Sequence, residues 1–115
     1  MKAGGEARIV LVTCGKVGEA RRIARSVVEK RLAACVSIVL GPVESVYRWK
    51  NKVEKAREWL LVMKTTRKQL RALEEEVKRL HSYEVPEFVA LVISEGSREY
   101  LGWLAEGCEL RKTRS

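Results

Sequence analysis

The stretch from Ser45 to Thr66, SVYRWKNKVEKAREWLLVMKTT, constrains the fold more than any other, because it reads as one long β-hairpin that the remaining chain must pack around. Ser45, Tyr47 and Trp49 alternate with Val46, Arg48 and Lys50, the period of two that sends successive side chains to opposite faces of a strand. Lys50-Asn51-Lys52 breaks that pattern with a polar, Asn-centred turn. From Val53 to Lys64 the chain is extended again. It ends in the apolar block Trp59-Leu60-Leu61-Val62-Met63, which suits a strand covered on both faces. Arms of about ten residues each exceed the usual strand of roughly five or six. A hairpin of that length protrudes from a small domain, which predicts contact with another chain.

The segments on either side supply the rest of a sandwich. Arg8 to Thr13, with Ile9-Val10-Leu11-Val12, is a first strand, and Cys14 to Gly18 is a loop into a helix. Ala20, Ile23, Ala24, Val27, Val28 and Leu32 follow the helical spacing of one buried face, while Arg21, Arg22, Arg25, Glu29 and Lys30 take the wet side. Val36 to Leu40 is a second strand, bent or bulged at Gly41-Pro42 because proline lacks the ladder donor. After the hairpin, Thr66 and Gln69 read as a capping box opening a helix with Leu70, Leu73, Val77 and Leu80 buried, ending near His81. Phe88 to Ile93 is a last strand, and Ser97 caps a short helix carrying Tyr100, Leu101, Trp103 and Leu104. The order β-α-β-β-α-β plus a short helix predicts an α+β, ferredoxin-like sandwich, with an antiparallel sheet and both main helices on one face. The bare second face calls for a cover, most simply another copy of the chain.

With 115 residues and 46% hydrophobic content, the chain fits a single domain, 1–115, with its ordered core over about 8–108 and a fraying polar tail after Cys108. The longest wholly apolar run, Phe88 to Ile93, is far short of the roughly 18 residues of a membrane span, so no membrane partner is expected. Met1 to Glu6 lacks an apolar h-region, which predicts a cytoplasmic protein. Cys14, Cys35 and Cys108 are odd in number and widely spaced, against both a disulfide framework and a structural zinc site. A net charge of +8 permits nucleic-acid contact, but basic residues are interleaved with acids, as in Glu74-Glu75-Glu76 before Lys78 and Arg79. No strand offers the paired exposed aromatics that stack bases, so no nucleic-acid partner is expected.

Five stretches carry a family resemblance. Glu29-Lys30-Arg31-Leu32-Ala33-Ala34-Cys35-Val36, Ser45-x-Tyr47-x-Trp49, Glu54 and Glu58 leading to Lys64-Thr65-Thr66, His81 to Glu87, and Tyr100-Leu101-Gly102-Trp103 resemble the CutA divalent-cation tolerance proteins. The resemblance implies a subunit of a tight homotrimer, similar in architecture to the PII nitrogen-regulatory proteins, whose long hairpins join neighbouring sheets edge to edge. It also implies metal tolerance, a response to divalent metal ions, copper binding and a PII-like signalling role. In family members with a metal site, the ligands are a Cys after the first strand and a His pair ending the second helix. Cys14 and His81 match these positions, Leu80 stands in place of the other His, and Ser82 in place of a common Pro.

A thiolate in the Gly-flanked loop at Cys14 is open to solvent, and sulfur with imidazole suits copper better than magnesium or calcium. His81 has a plainer explanation as a cation at a helix C-terminus. Cys35 is expected in the core, and Cys108, after the last helix, reads as incidental. Tyr47, Trp49, Tyr83, Tyr100 and Trp103 line a prospective subunit cleft, with Ser45, Glu54, Glu58, Lys64 and Glu87 as polar contacts. Glu54, Glu58 and Lys64 share one strand face, which permits a carboxylate-lysine cluster. A ferredoxin-like RNA-binding or small-molecule-sensing module is the alternative function. An enzyme is not expected, since no orienting Asp or Asn, oxyanion motif or phosphate loop accompanies Cys14 and His81.

Overall fold

The computed structural model describes residues 1–109. The tail after Cys108 expected to fray therefore lies, apart from Glu109, outside the described residues. In chain order the elements are β1 (Lys2–Ala3), β2 (Ala7–Cys14), α1 (Val17–Glu29), β3 (Cys35–Ile38), β4 (Val43–Trp49), β5 (Lys52–Thr66), α2 (Leu70–Leu80), β6 (Val89–Val92), β7 (Glu95–Gly96) and α3 (Arg98–Gly107). The main sheet is antiparallel in the order β3-β5-β2-β6, with β4 also paired to β5, which is the ferredoxin-like arrangement. β1 and β7 make a separate two-stranded ladder. That ladder follows from a close approach at Gly4, whose N–H bonds to Ser94 O at 2.9 Å and where a Cβ would collide with the Ile93 carbonyl.

The core lies between the sheet and the two main helices. Val10 and Val12 on β2 stand opposite Met63 and Leu61 on β5, and Ile23, Val27, Leu73 and Val77 close over them from α1 and α2, all fully buried. Truncating a residue such as Leu61 or Leu73 to Ala therefore costs about 2–5 kcal/mol. The opposite parity on these strands, Ile9, Leu11, Leu60 and Val62, is only half-buried on the uncovered face.

β5 does more than a hairpin arm. Its Trp59–Thr66 half is central, between β2 and β3, while its Lys52–Glu58 half continues beyond the sheet with only β4 beside it. The arms are seven and fifteen residues long, not about ten each, because β5 serves both the sheet and the arm. Seven residues project about 24 Å at strand rise. Hence the radius of gyration is 15.2 Å, above the roughly 13 Å of a compact chain this long. The turn takes two residues, Lys50 and Asn51, with φ of 50° and 66°, and Lys52 already pairs with Trp49. Positive φ at both central positions matches the right-handed twist of the arms. The expected bulge is present. Val39 N–H still bonds to Leu60 O and Val43 is already opposite Glu58, which leaves Leu40, Gly41 and Pro42 against Trp59 alone.

Two helix boundaries differ from expectation. α1 stops at Glu29, and Arg31 takes a φ of 61°, so that Arg31 N–H bonds to Val28 O and Leu32 N–H to Val27 O. This is a left-handed helix stop with arginine where glycine is usual, and Leu32 reaches the core from outside the helix. Thr66 and Gln69 form no capping box: Thr66 caps nothing with its side chain, a short 3₁₀ turn at Arg67–Gln69 precedes α2, and Gln69 Nε2 donates to Cys108 O. Ser97 does cap α3, accepting from Tyr100 N–H at 3.1 Å.

Candidate functional site

The chain leaves α2 at His81, whose extended ψ of 139° turns the imidazole back beneath the end of β2, where its side chain is fully buried. Two main-chain groups fix the ring. Tyr83 N–H can only donate, so Nδ1 accepts it at 3.1 Å, and Thr13 O can only accept, so Nε2 carries the proton toward it at 2.7 Å. The ring is thus held as the neutral Nε2–H tautomer, not as the helix-terminal cation of the plainer reading.

Cys14 lies beside it, with Sγ 3.7 Å from Nε2. The solvent-reached loop thiolate expected here is not what the fold builds. β2 runs through Cys14 and α1 begins three residues later, so the side chain is fully covered. Burial, then the negative charges of Glu19 and Glu58, push the thiol up to about 12, which keeps it protonated at neutral pH. Glu19, in the first turn of α1, is a member that sequence reasoning missed. Its Oε1 accepts from Ser82 N–H at 3.1 Å, its Oε2 from Ser82 Oγ at 3.2 Å, and Oε2 stands 3.6 Å from His81 Nδ1. One donor atom each from Cys14, Glu19 and His81 falls within 4.8 Å of the others, a set able to hold a metal ion. The available signal was Glu19 in the first helical turn, five residues after Cys14 and facing back toward it.

The aromatic and polar candidates separate into two groups. At the base of the hairpin, Tyr83 Oη donates to Glu58 Oε2 at 2.8 Å, and the Tyr83 ring packs on His81 with centroids 4.7 Å apart. Glu58 is only 6% exposed. Burial and then the Glu58 carboxylate raise the Tyr83 phenol, and partial desolvation with the Glu58 charge raises Glu87. Tyr47 is cross-strand from Glu54, Ser45 from Ala56, and Trp49 sits at the far tip under Lys50. At the other end of β5, Lys64 Nζ donates to Ser37 Oγ at 3.4 Å, while Tyr100 packs on Trp103 and touches Cys35 Sγ through its hydroxyl at 3.5 Å. That contact, then burial, pushes Tyr100 up to about 12. Six residues of strand, about 20 Å, separate Glu58 from Lys64, so the carboxylate-lysine cluster does not form within one chain. Cys35 is half-buried on the uncovered face and not in the core, whereas Cys108 is buried with Ala7, Leu101 and Leu104 and is not incidental.

Comparison with known proteins agrees with this architecture. Residues 8–107 match the family model described as CutA1 divalent ion tolerance protein. The divalent-cation tolerance protein CutA of Thermus thermophilus is 53% identical over 98 residues, 85% of this chain and 94% of that one. Protein CutA of Mus musculus is 42% identical over 91% of this chain, which spans only 59% of the mouse protein. The crystal structure of CutA1 from Oryza sativa superposes with a TM-score of 0.87 at 42% identity, covering 91% of this chain and 95% of that one. A family match over nearly the whole folded region, with the same fold and more than half of the aligned residues identical in one relative, leaves one reading: the chain belongs to the CutA1 divalent ion tolerance family.

Proposed function

We propose that this protein acts in the cytoplasm as a homotrimeric, copper-binding metal-response protein with a PII-like signalling role, not as an enzyme. The observation that carries the reading is the buried Cys14–His81 pair, a soft sulfur and an imidazole nitrogen 3.7 Å apart. Their donor chemistry fits a cuprous or borderline divalent ion, which would take the place of the thiol proton on Sγ and of the proton on Nε2. The same geometry speaks against nucleophilic catalysis. Nε2 presents a proton, not a lone pair, and spends it on Thr13 O, so the ring is not poised to accept the thiol proton.

The trimer is supported by what one chain leaves open. Among the described residues β6 pairs with β2 on one side only, and its Val89, Leu91 and Val92 are all exposed, as are Val46 and Val53 on the projecting hairpin. An apolar edge strand and an apolar arm are mutually suited to cover one another between copies. Such packing brings the Glu58–Tyr83 end of one chain toward the Lys64–Tyr100–Trp103 end of the next. The cleft of Ser45, Tyr47, Trp49, Glu54, Glu58, Lys64, Tyr83, Glu87, Tyr100 and Trp103 is then a ligand seam between subunits. All three cysteines are free, as suits a reducing compartment, and no helix among the described residues is long and apolar enough to cross a membrane.

Competition of Cu(I) against a chelator tests the metal reading with wild type, Cys14→Ala and His81→Ala, using Cys35→Ala and Cys108→Ala as controls. The largest loss is expected for Cys14→Ala, since the thiolate is the softer ligand. Equal affinity in wild type and Cys14→Ala removes the site. Light scattering should report three times 13.1 kDa, and a monomer removes the trimer.

A further inference from the structure

β3 ends the main sheet, and among the described residues it pairs with β5 alone, which leaves one strand edge open. Val39 N–H bonds to Leu60 O, so Cys35, Ser37 and Val39 direct their main-chain groups toward β5. By the antiparallel alternation, Val36 and Ile38 direct theirs outward. The same two residues stand opposite the buried Met63 and Leu61, so their side chains turn to the helix side of the sheet. There, with Ala24 and Val28 of α1, they floor a groove of about 410 Å³ that runs along the open edge. Arg21 and Arg25 flank it from α1. Arg25 stands 3.6 Å from Glu29, but both side chains are well over half exposed and water screens the pair.

We propose that this edge takes up an extended, acidic segment of a partner protein as an added strand beside β3. The unpaired N–H and C=O groups of Val36 and Ile38 supply the ladder, and the groove receives every second side chain of the added strand. Charge decides between occupants. A second copy pairing through the same edge would bring Arg21 and Arg25 against their own counterparts on a chain of net charge +8, a like-charge contact that works against association. A segment with carboxylates on its α1-facing side meets those arginines favourably. The spacing agrees, since Arg21 and Arg25 are about 6 Å apart along the helix. Alternate residues of a strand are about 6.7 Å apart, so carboxylates two positions apart in the added strand face the two arginines. The edge is short. Arg31, with its φ of 61°, turns the chain before it, and the bulge at Leu40–Pro42 ends it with a residue that has no donor. The groove shares no residue with the Cys14–His81 pair or with the proposed subunit seam.

Two capped hexapeptides serve as probes for the full-length protein, one alternating glutamate with valine and the other alternating lysine with valine. At about 150 mM salt the glutamate peptide should bind with a Kd below about 1 mM, and at least about 10-fold more tightly than the lysine peptide. Amide hydrogen exchange reads the mode of binding. Val36 and Ile38 should gain protection with the glutamate peptide, while Cys35 and Ser37, already bonded to β5, should not change. The double variant Arg21→Glu, Arg25→Glu changes exposed side chains and should reverse the order of the two peptides without unfolding the protein. No binding of the glutamate peptide at about 1 mM overturns the proposal. Binding without protection at Val36 and Ile38 also overturns it, because the contact is then one of charge alone. Val36 and Ile38 amides already protected before peptide is added mean that another copy holds the edge, which overturns it as well.

Discussion

Replacing Glu76 by alanine should loosen the contact between α1 and α2 that holds the two sides of the site together. Glu76 projects from α2 into that contact and is only 7% exposed. Its Oε2 accepts from Ser26 Oγ at 2.5 Å, Lys30 Nζ at 2.9 Å and Arg79 Nη2 at 2.8 Å, and its Oε1 from Arg79 Nε at 2.8 Å. The Lys30 and Arg79 side chains are more than half exposed, so water screens those ion pairs and they are left out of the magnitude. The part-buried Ser26 bond to a charged acceptor is the dependable contribution, about 1.5 kcal/mol. Urea unfolding at fixed protomer concentration should therefore show a midpoint lowered by roughly 1 M with an unchanged slope.

The sign with pH follows from the carboxyl itself. Arg79 first, then Ser26 and Lys30, hold Glu76 well below the usual carboxylate range. A group with a lowered folded-state pKa contributes fully above its unfolded value, here 4.5, and progressively less as pH falls below it. The difference between wild type and Glu76→Ala should thus be constant from about pH 7 to 5.5 and shrink toward about pH 3. A loss under about 0.5 kcal/mol, or one equally large at pH 3 and pH 7, refutes the assignment of this carboxylate as the interhelical clasp. Because α1 carries Glu19 in its first turn and His81 directly follows α2, the same variant should also weaken metal binding.

Thiol labelling orders the cysteines: at about pH 8, mass spectrometry should find Cys35 alkylated well before Cys14 and Cys108, both buried and both raised in pKa by that burial. Cys14 reacting as fast as Cys35 contradicts the burial described here. Tyr83→Phe removes the hydroxyl partner of the buried Glu58 carboxylate and should cost about 1–3 kcal/mol in urea unfolding, while Glu58→Gln alongside it recovers part of the loss. No cost in Tyr83→Phe means that water already serves Glu58.

The elements were legible because periodicity records which face is buried. Val10, Val12, Leu61 and Met63 lie on the helix side as the strand pattern requires, and the Gly41-Pro42 bulge follows from proline's missing donor. What periodicity cannot record is a polar group buried by a distant partner. Glu19 and Glu76 read as ordinary surface acids and Glu58 as a polar contact of an intersubunit cleft, yet Ser82, Ser26 and Tyr83 draw them inward across 63, 50 and 25 residues of sequence. The capping box at Thr66 failed for a related reason. Arg67 N–H is taken by Glu6 O and the Gln69 side chain by Cys108 O, both tertiary bonds that outcompete the local motif. The family motifs led to Cys14 and His81, but only three-dimensional placement shows that His81 spends both nitrogens on the main chain.

The central claim, that Cys14 and His81 hold the metal, is tested most directly by crystals grown with one equivalent of copper and measured on either side of its absorption edge. An anomalous-difference peak within bonding distance of Cys14 Sγ and His81 Nε2 is the predicted result. A peak confined to Cys35, to Cys108 or to surface carboxylates, with the Nε2–H to Thr13 bond intact, would contradict it.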